Sequence, residues 1–349
     1  MTTPPTLRSR TLGALLGVHA GDALGATLEF LPWETIRAHH PNHTSITGGG
    51  PFSFPPGHAT DDTDLTRAVL LAYRTSSPTT TPLTLTYGAA QHFVAWFTGF
   101  WPDRVAGERP ADVGGATAKG IRTFQRTGDA TTSGAGEGSA GNGSLMRCIA
   151  TGLFQGEWER MVVESDLISA VTHDDPHCTL ACAGYNGIVR GLVEGRGVRE
   201  AIELGIKAVG DARKLPTHGE RRTPESMLEL AVKRVEGAIV AGRDLVTVRE
   251  LAEEGPREAR NGRKVLPFKG AGYVLESLTI AVAALVDERG LEEVLVDVVR
   301  IGKDTDTNGA IAGGLLGARD GVEGIPGTWR EKLQFAAEFE EIVDEMLSR

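Results

Sequence analysis

Two short acidic stretches, one near each end of a 349-residue chain, constrain what it can fold into more than any other feature. Residues 57–66 read GHATDDTDLT and residues 302–309 read GKDTDTNG, each setting aspartates and threonines directly ahead of an apolar run. The ordinary account of such residues is helix capping, in which they accept from free backbone N–H groups and complement the positive end of the helix dipole. Capping uses one acceptor, or two. Each stretch carries two or three carboxylates, and adjacent aspartates at one helix end repel unless a cation sits between them. Carboxylates with threonine hydroxyls, and no Cys or His, suit hard cations such as Mg²⁺ or Mn²⁺. If both stretches face one site, Asp61, Asp62, Asp304 and Asp306 carry enough charge for two divalent ions, a pair held roughly 3.5–4 Å apart in binuclear hydrolases. The chain ends must then meet, which argues for a single domain over residues 1–349. Neither stretch is an EF-hand, because GKDTDTNGAIAGG lacks the glutamate that closes the calcium loop.

Elsewhere the periodicity is helical. Leu12, Leu15, Leu16 and Ala20 recur at spacings of three and four, as do Leu65, Val69 and Ala72. Met227, Leu230, Ala231 and Val235 follow the same rule, and so do Val274, Leu278, Ala281 and Val282. Each set reads as the apolar side of a one-sided helix, and alternating β-branched runs with hairpin turns are scarce, so the fold class read is all-α. Long irregular stretches are expected at 39–60, 75–86, 98–116, 127–144 and 211–224. The run after Asp306 carries Gly309, Ala310, Gly313, Gly314, Gly317 and Ala318, a small-residue helix that lets neighbours approach closely.

Net charge is −10, with no clustering of Lys and Arg, so neither nucleic acid nor an anionic membrane is an expected partner. The opening MTTPPTLRSR is polar and leads into a Gly- and Ala-broken segment, neither a signal-peptide core nor a transmembrane span, and a cytoplasmic location is expected. Cys148, Cys178 and Cys182 are an odd and sparse set that fits a reducing compartment, as buried small hydrophobes rather than a disulfide framework.

Residues 133–147, SGAGEGSAGNGSLMR, contain a formal GxGxxG, but no strand precedes it and no βαβ unit surrounds it. What remains is either a plain flexible loop or a glycine backbone that opens a helix near Ser144 and offers N–H groups to a phosphate or diphosphate. In THDDPHC at 172–178, Pro176 belongs in a first helical turn and leaves His173 outside it, which spoils a zinc helix. His173 then contacts a ligand or caps a loop. Glu29 stands at a helix end before Pro32, where an exposed glutamate is the plain reading.

Taken together, GDALGATLE at 21–29, ATDDT at 59–63, PADVGGAT at 110–117, GNGSLMR at 141–147, TH at 172–173 and DTDT at 304–307 resemble the ADP-ribosylglycohydrolase family. The match keeps its order from about residue 10 to 320. The resemblance implies an orthogonal all-α bundle around two divalent cations, Mg²⁺ or Mn²⁺. By position in the motifs, Thr60, Asp61, Asp62, Asp304, Asp306 and Thr307 look like the metal ligands. Glu29 looks like the family's mobile glutamate, to which gating and catalytic roles have both been given. Gly141, Asn142 and Gly143 would lie against the diphosphate, His173 near the ribose or adenine, and Asp112 is similar to an aspartate that arginine-processing members place by the scissile bond.

The activity so implied is metal-dependent removal of ADP-ribose from mono-ADP-ribosylated protein, most naturally from arginine, with free ADP-ribose as product. A water attacks the anomeric carbon through an oxocarbenium-like transition state, assisted by Glu29, Asp62 or Asp306. Serine, O-acetyl-ADP-ribose or a nucleic-acid end are other acceptors for the same site, and a non-catalytic ADP-ribose-binding relative is a reading of another class. Ala140 stands where some members carry an aromatic residue, so stacking is expected from Phe124 or Tyr185, and the Gly- and Pro-rich stretch at 47–58 is a candidate lid.

Overall fold

The first helix, Leu7–Gly25, carries glycine at 13, 17, 21 and 25, one residue per turn on one side. The helix Thr305–Asp320 carries glycine at 309, 313 and 317. The two pack antiparallel with these rows in contact, and the match is mutual: a Cβ on Gly13, Gly17, Gly21 or Gly25 would overlap the backbone of Gly317, Gly313, Gly309 or Thr305. Only hydrogen fits at such an approach. Gly17→Val or Gly313→Val is expected to lower stability by about 3 kcal/mol or more, because the obstacle is backbone that cannot turn aside. Thermal denaturation checks this, and an unchanged midpoint contradicts it.

The computed structural model describes residues 4–220, 223–256 and 272–349. Among these the extended regular elements are all helices, with only two isolated β-bridges, Gly49 to Phe54 and Gly141 to Tyr273. The glycine-paired helices form the centre, joined by Val274–Val286, and Pro176–Val193 packs beside them. Here the one-sided reading fails. Residues 11–25 of the first helix, 305–318 and 274–285 are all buried, so these helices are enclosed rather than amphipathic. On the outer helix Glu225–Asp244, Leu230 is exposed, against its expected place in the core, while Leu228, Ala231 and Val235 are buried.

Of the expected loops, 75–86 is cut short because Thr81 caps a helix that starts at Pro82, and 211–224 is interrupted by the short helix Thr217–Glu220. The C-terminal helix Ala336–Leu347 holds the Asp61–Arg74 helix in place. Arg67 pairs with both oxygens of Glu338 at 2.7 and 2.8 Å and lies 4.5 Å over the Trp101 ring, and Arg74 reaches Glu341 and Glu345. No helix among the described residues is long and apolar enough to cross a membrane.

Candidate active site

The first acidic stretch opens the helix Asp61–Arg74, with Thr60 as N-cap accepting the Asp62 N–H at 3.3 Å. The main cap comes from elsewhere. Asp22, fully buried on the first helix, accepts from Thr60 N at 3.1 Å, Thr63 N at 3.2 Å and Thr63 Oγ1 at 2.5 Å. Asp64 accepts the indole N–H groups of Trp96 and Trp101, each at 2.8 Å. These two carboxylates are structural, so Asp61 and Asp62 are left over from capping. Asp22→Ala leaves three donors without an acceptor and is expected to cost about 2–4 kcal/mol. It should also weaken divalent-cation binding by loosening the 60–63 turn. A wild-type melting point and calorimetric titration would contradict that.

The second stretch opens Thr305–Asp320, with Thr305 Oγ1 donating to Gly25 O at 2.7 Å. A backbone clip sets its position: Phe30 N donates to Lys303 O at 2.7 Å and Lys303 N to Leu31 O at 2.8 Å. Both Phe30 and Lys303 are left-handed, at φ 65° and 69°. Such residues cost on the order of 1–3 kcal/mol each and collect at functional sites. The clip brings Glu29 beside Asp304. Thr307 Oγ1 then donates to Asp62 Oδ2 at 3.3 Å, joining stretches 245 residues apart.

The result is one cavity of about 330 Å³, lined among others by Glu29, Asp61, Asp112, Asp304, Asp306 and Thr307. Thr60 and Asp62 are buried and lie outside its lining. Oxygens of Glu29, Asp112 and Asp306 all lie within 4.8 Å of one another. Asp112 was read with the substrate groups, and its carboxylate stands among the candidate metal donors, hydrogen-bonded to Asp61. Glu29 is buried, not the exposed glutamate that its place before Pro32 allows. Asp62 Oδ1 and Glu29 Oε2 are buried with no hydrogen-bond partner, a costly state for a carboxylate unless a cation binds it. An all-oxygen donor set with such atoms fits a hard divalent cation.

The carboxyls record the same crowding. Burial, then Asp112, Asp304 and Asp22, pushes Glu29 up to about 9. Burial and Asp304 raise Asp112 to about 6. Asp61, Asp62 and Asp306 are held well above the carboxylate range by burial first and by their acidic neighbours second.

The model of one family, ADP-ribosylglycohydrolase, matches residues 3–349. The chain belongs to that family. It is 29% identical over 344 residues to the ADP-ribosyl-[dinitrogen reductase] glycohydrolase of Rhodospirillum rubrum, covering 97% of this chain and 95% of that protein. It is 25% identical over 353 residues to the ADP-ribosylarginine hydrolase Tri1 of Pseudomonas putida, covering 99% of this chain and 80% of the other. A solved ADP-ribosylglycohydrolase-related protein complex superposes with a TM-score of 0.67 at 25% identity over 98% of each chain. The all-α bundle is thus of the ADP-ribosylglycohydrolase type, and the chain is an enzyme of that class.

In this family member the glycine-rich loop forms another wall. Asn142 N donates to Gly272 O at 2.9 Å, and its side chain donates to Asp304 Oδ2 at 2.7 Å and Ser277 Oγ at 2.9 Å. The loop is therefore anchored to the second acidic stretch. Gly143 is backed by His173 and Thr117: a Cβ there would stand 2.9 Å from His173 Cε1 and 3.0 Å from Thr117 Oγ1. As Pro176 indicates, His173 lies outside the helix Pro176–Val193. Its Nδ1 is 2.8 Å from Thr172 Oγ1, which accepts from Arg147 Nη2 at 2.6 Å. Arginine only donates, so the arrangement that uses every donor puts the Thr172 hydrogen on Nδ1 and leaves Nε2–H toward Gly141. Burial and the Arg147 charge push His173 down to about 3, so the ring is neutral.

Asp22, Thr117 and Arg147 join the site without any local sequence signal that marks them. Asp22 and Arg147 lie inside GDALG and GNGSLMR, yet their roles depend on tertiary partners. Phe124 and Tyr185, read as stacking residues, are corrected: both are core, with Tyr185 bound to Ile311 O at 2.9 Å. Residues 47–58 are no free lid, since Thr27 Oγ1 donates to Gly48 O at 3.0 Å and Gly50 packs on Ala26.

Proposed function

We propose that this chain is a divalent-metal-dependent hydrolase that releases ADP-ribose from mono-ADP-ribosylated protein, with arginine as the acceptor. The observation that carries the reading is the convergence of both acidic stretches and the 141–143 loop on one cavity. The names of the relatives from Rhodospirillum rubrum and Pseudomonas putida support the reaction class and the acceptor.

Thr60, Asp61, Asp62, Asp304, Asp306 and Thr307 would hold two cations, Mg²⁺ or Mn²⁺, with Glu29 and Asp112 at their edge. When bound, these supply Lewis-acid polarisation of the ribose hydroxyls and of the attacking water. Glu29, which would be ionised once cations offset the acidic neighbours that hold its proton on, takes a proton from the water as its oxygen bonds to the anomeric carbon. Breaking the C–N bond leaves the electron pair on nitrogen, and the departing guanidine recovers the proton that Glu29 took. Gly141, Asn142 and Gly143 hold the diphosphate, His173 Nε2–H donates to its ribose side, and Asp112 faces the guanidinium.

Charge supports the acceptor. With all six ionised on cation binding, Glu29, Asp61, Asp62, Asp112, Asp304 and Asp306 would set six negative charges against the four positive charges of two divalent cations, leaving two for a guanidinium. Serine offers none in return. The motif order from 21 to 307 along one folded unit also supports a single domain over 1–349. Incubation with ADP-ribosylated protein and Mg²⁺ is expected to release free ADP-ribose. Binding of ADP-ribose without release from any linkage would overturn the enzymatic reading.

A further inference from the structure

Phe30 is 54% exposed although it follows buried Glu29 and lines the same cavity as Asp112 and Asp306. Its backbone is held left-handed at φ 65° by the bond from its N–H to Lys303 O, so the ring is presented at the mouth by the same clip that assembles the carboxylates. It is not isolated. Phe52 meets it edge-on at 6.2 Å between centroids, Phe54 lies 5.6 Å beyond Phe52, and His58 stacks on Phe54 at 5.0 Å. The turn that bears these rings is closed by Gly49 N to Phe54 O at 2.7 Å and Phe54 N to Gly49 O at 3.1 Å. The row is a fixed ledge beside an acidic cavity.

We propose that Phe30, backed by Phe52, is the acceptor-specificity residue: its ring face takes the planar guanidinium and methylene stem of the modified arginine. A guanidinium is weakly hydrated, stacks on aromatic faces and pairs with carboxylates, and the mouth offers the ring next to Glu29 and Asp112. A serine linkage has neither plane nor charge for the ring to hold. The inference rests on the arginine reading above and deepens it.

The test uses the full chain with Mg²⁺ and the single amino acid conjugate ADP-ribosylarginine as substrate. Phe30→Gly suits a left-handed backbone and removes the ring, and Phe30→Leu keeps apolar bulk without a π face. Both are expected to raise KM on the order of 3- to 10-fold. Inhibition by free ADP-ribose should stay within about two-fold of wild type, Phe30→Gly should melt no lower, and Phe30→Tyr should keep the wild-type KM. An unchanged KM in Phe30→Gly overturns the inference, as does weakened ADP-ribose inhibition in parallel, which would assign the ring to the nucleotide side. Wild type that binds ADP-ribose but does not cleave ADP-ribosylarginine overturns the arginine reading and this one together. Cleavage by wild type with an indifferent Phe30→Gly overturns this one alone.

Discussion

Asp62→Asn and Asp306→Asn are each expected to lower ADP-ribose release on the order of 1000-fold or more, with the fold intact. Asp62 is fully buried, and its Oδ2 accepts from Thr60 Oγ1 at 3.2 Å and Thr307 Oγ1 at 3.3 Å, so the carboxylate ties the two acidic stretches together. Asparagine has the same shape but one oxygen and no charge. In chelated protein at alkaline pH the change should raise the melting point, because it removes a carboxyl whose ionisation is opposed by burial and by Asp61, Asp22, Asp304 and Asp112. Loss of activity with gain of metal-free stability separates a ligand from a scaffold residue. Near wild-type turnover in either variant contradicts the proposed metal site, and a lower metal-free melting point assigns the carboxylate to structure.

The chelated protein should lose stability as pH rises, and divalent cations should restore it. Asp112 is raised from its usual 3.8 to about 6 and Glu29 from 4.5 to about 9. A carboxyl raised on folding binds its proton more tightly in the native state. Its contribution is therefore fully present below the unfolded value and lost as pH climbs through the folded one. Across this pair the decline runs from about pH 4 to about pH 9. A cation that binds only the folded protein adds roughly 2.7 kcal/mol at a hundred times its dissociation constant. The melting point with Mg²⁺ should exceed that with chelator, by more at pH 8 than at pH 5. Equal, parallel profiles would contradict a cation site among these carboxylates.

The all-α class was legible because helical spacing and local caps are written within a few residues of one another, as at Thr60 and Pro176. The acidic stretches were legible because they hold more carboxylates than caps require, and the structure divides the first as that excess implies: Asp64 is taken up by the Trp96 and Trp101 indoles, while Asp61 and Asp62 are not needed as caps, a task that falls to Asp22 of the first helix. What escaped was tertiary. Asp22 caps a helix 38 residues away, and nothing near it in the chain marks that use. The four-residue glycine spacing of the first helix is present in the letters, where alone it marks only a segment too broken by Gly and Ala to be a signal-peptide core or a membrane span. Its meaning needs the facing row at 309, 313 and 317. Phe124 and Tyr185 could not be separated by type from a stacking residue, whereas the exposed ring at the mouth belongs to Phe30.

The central claim is that the two acidic stretches form one metal-dependent site that cleaves ADP-ribose from arginine. The most direct test offers the protein an arginine-ADP-ribosylated target and a serine-ADP-ribosylated peptide, each with Mg²⁺ and with chelator, and follows free ADP-ribose. The account predicts release from arginine with Mg²⁺ and none in the other three mixtures. Release that survives chelation would contradict the metal site, and release from serine in place of arginine would contradict the acceptor assigned to Asp112 and Phe30.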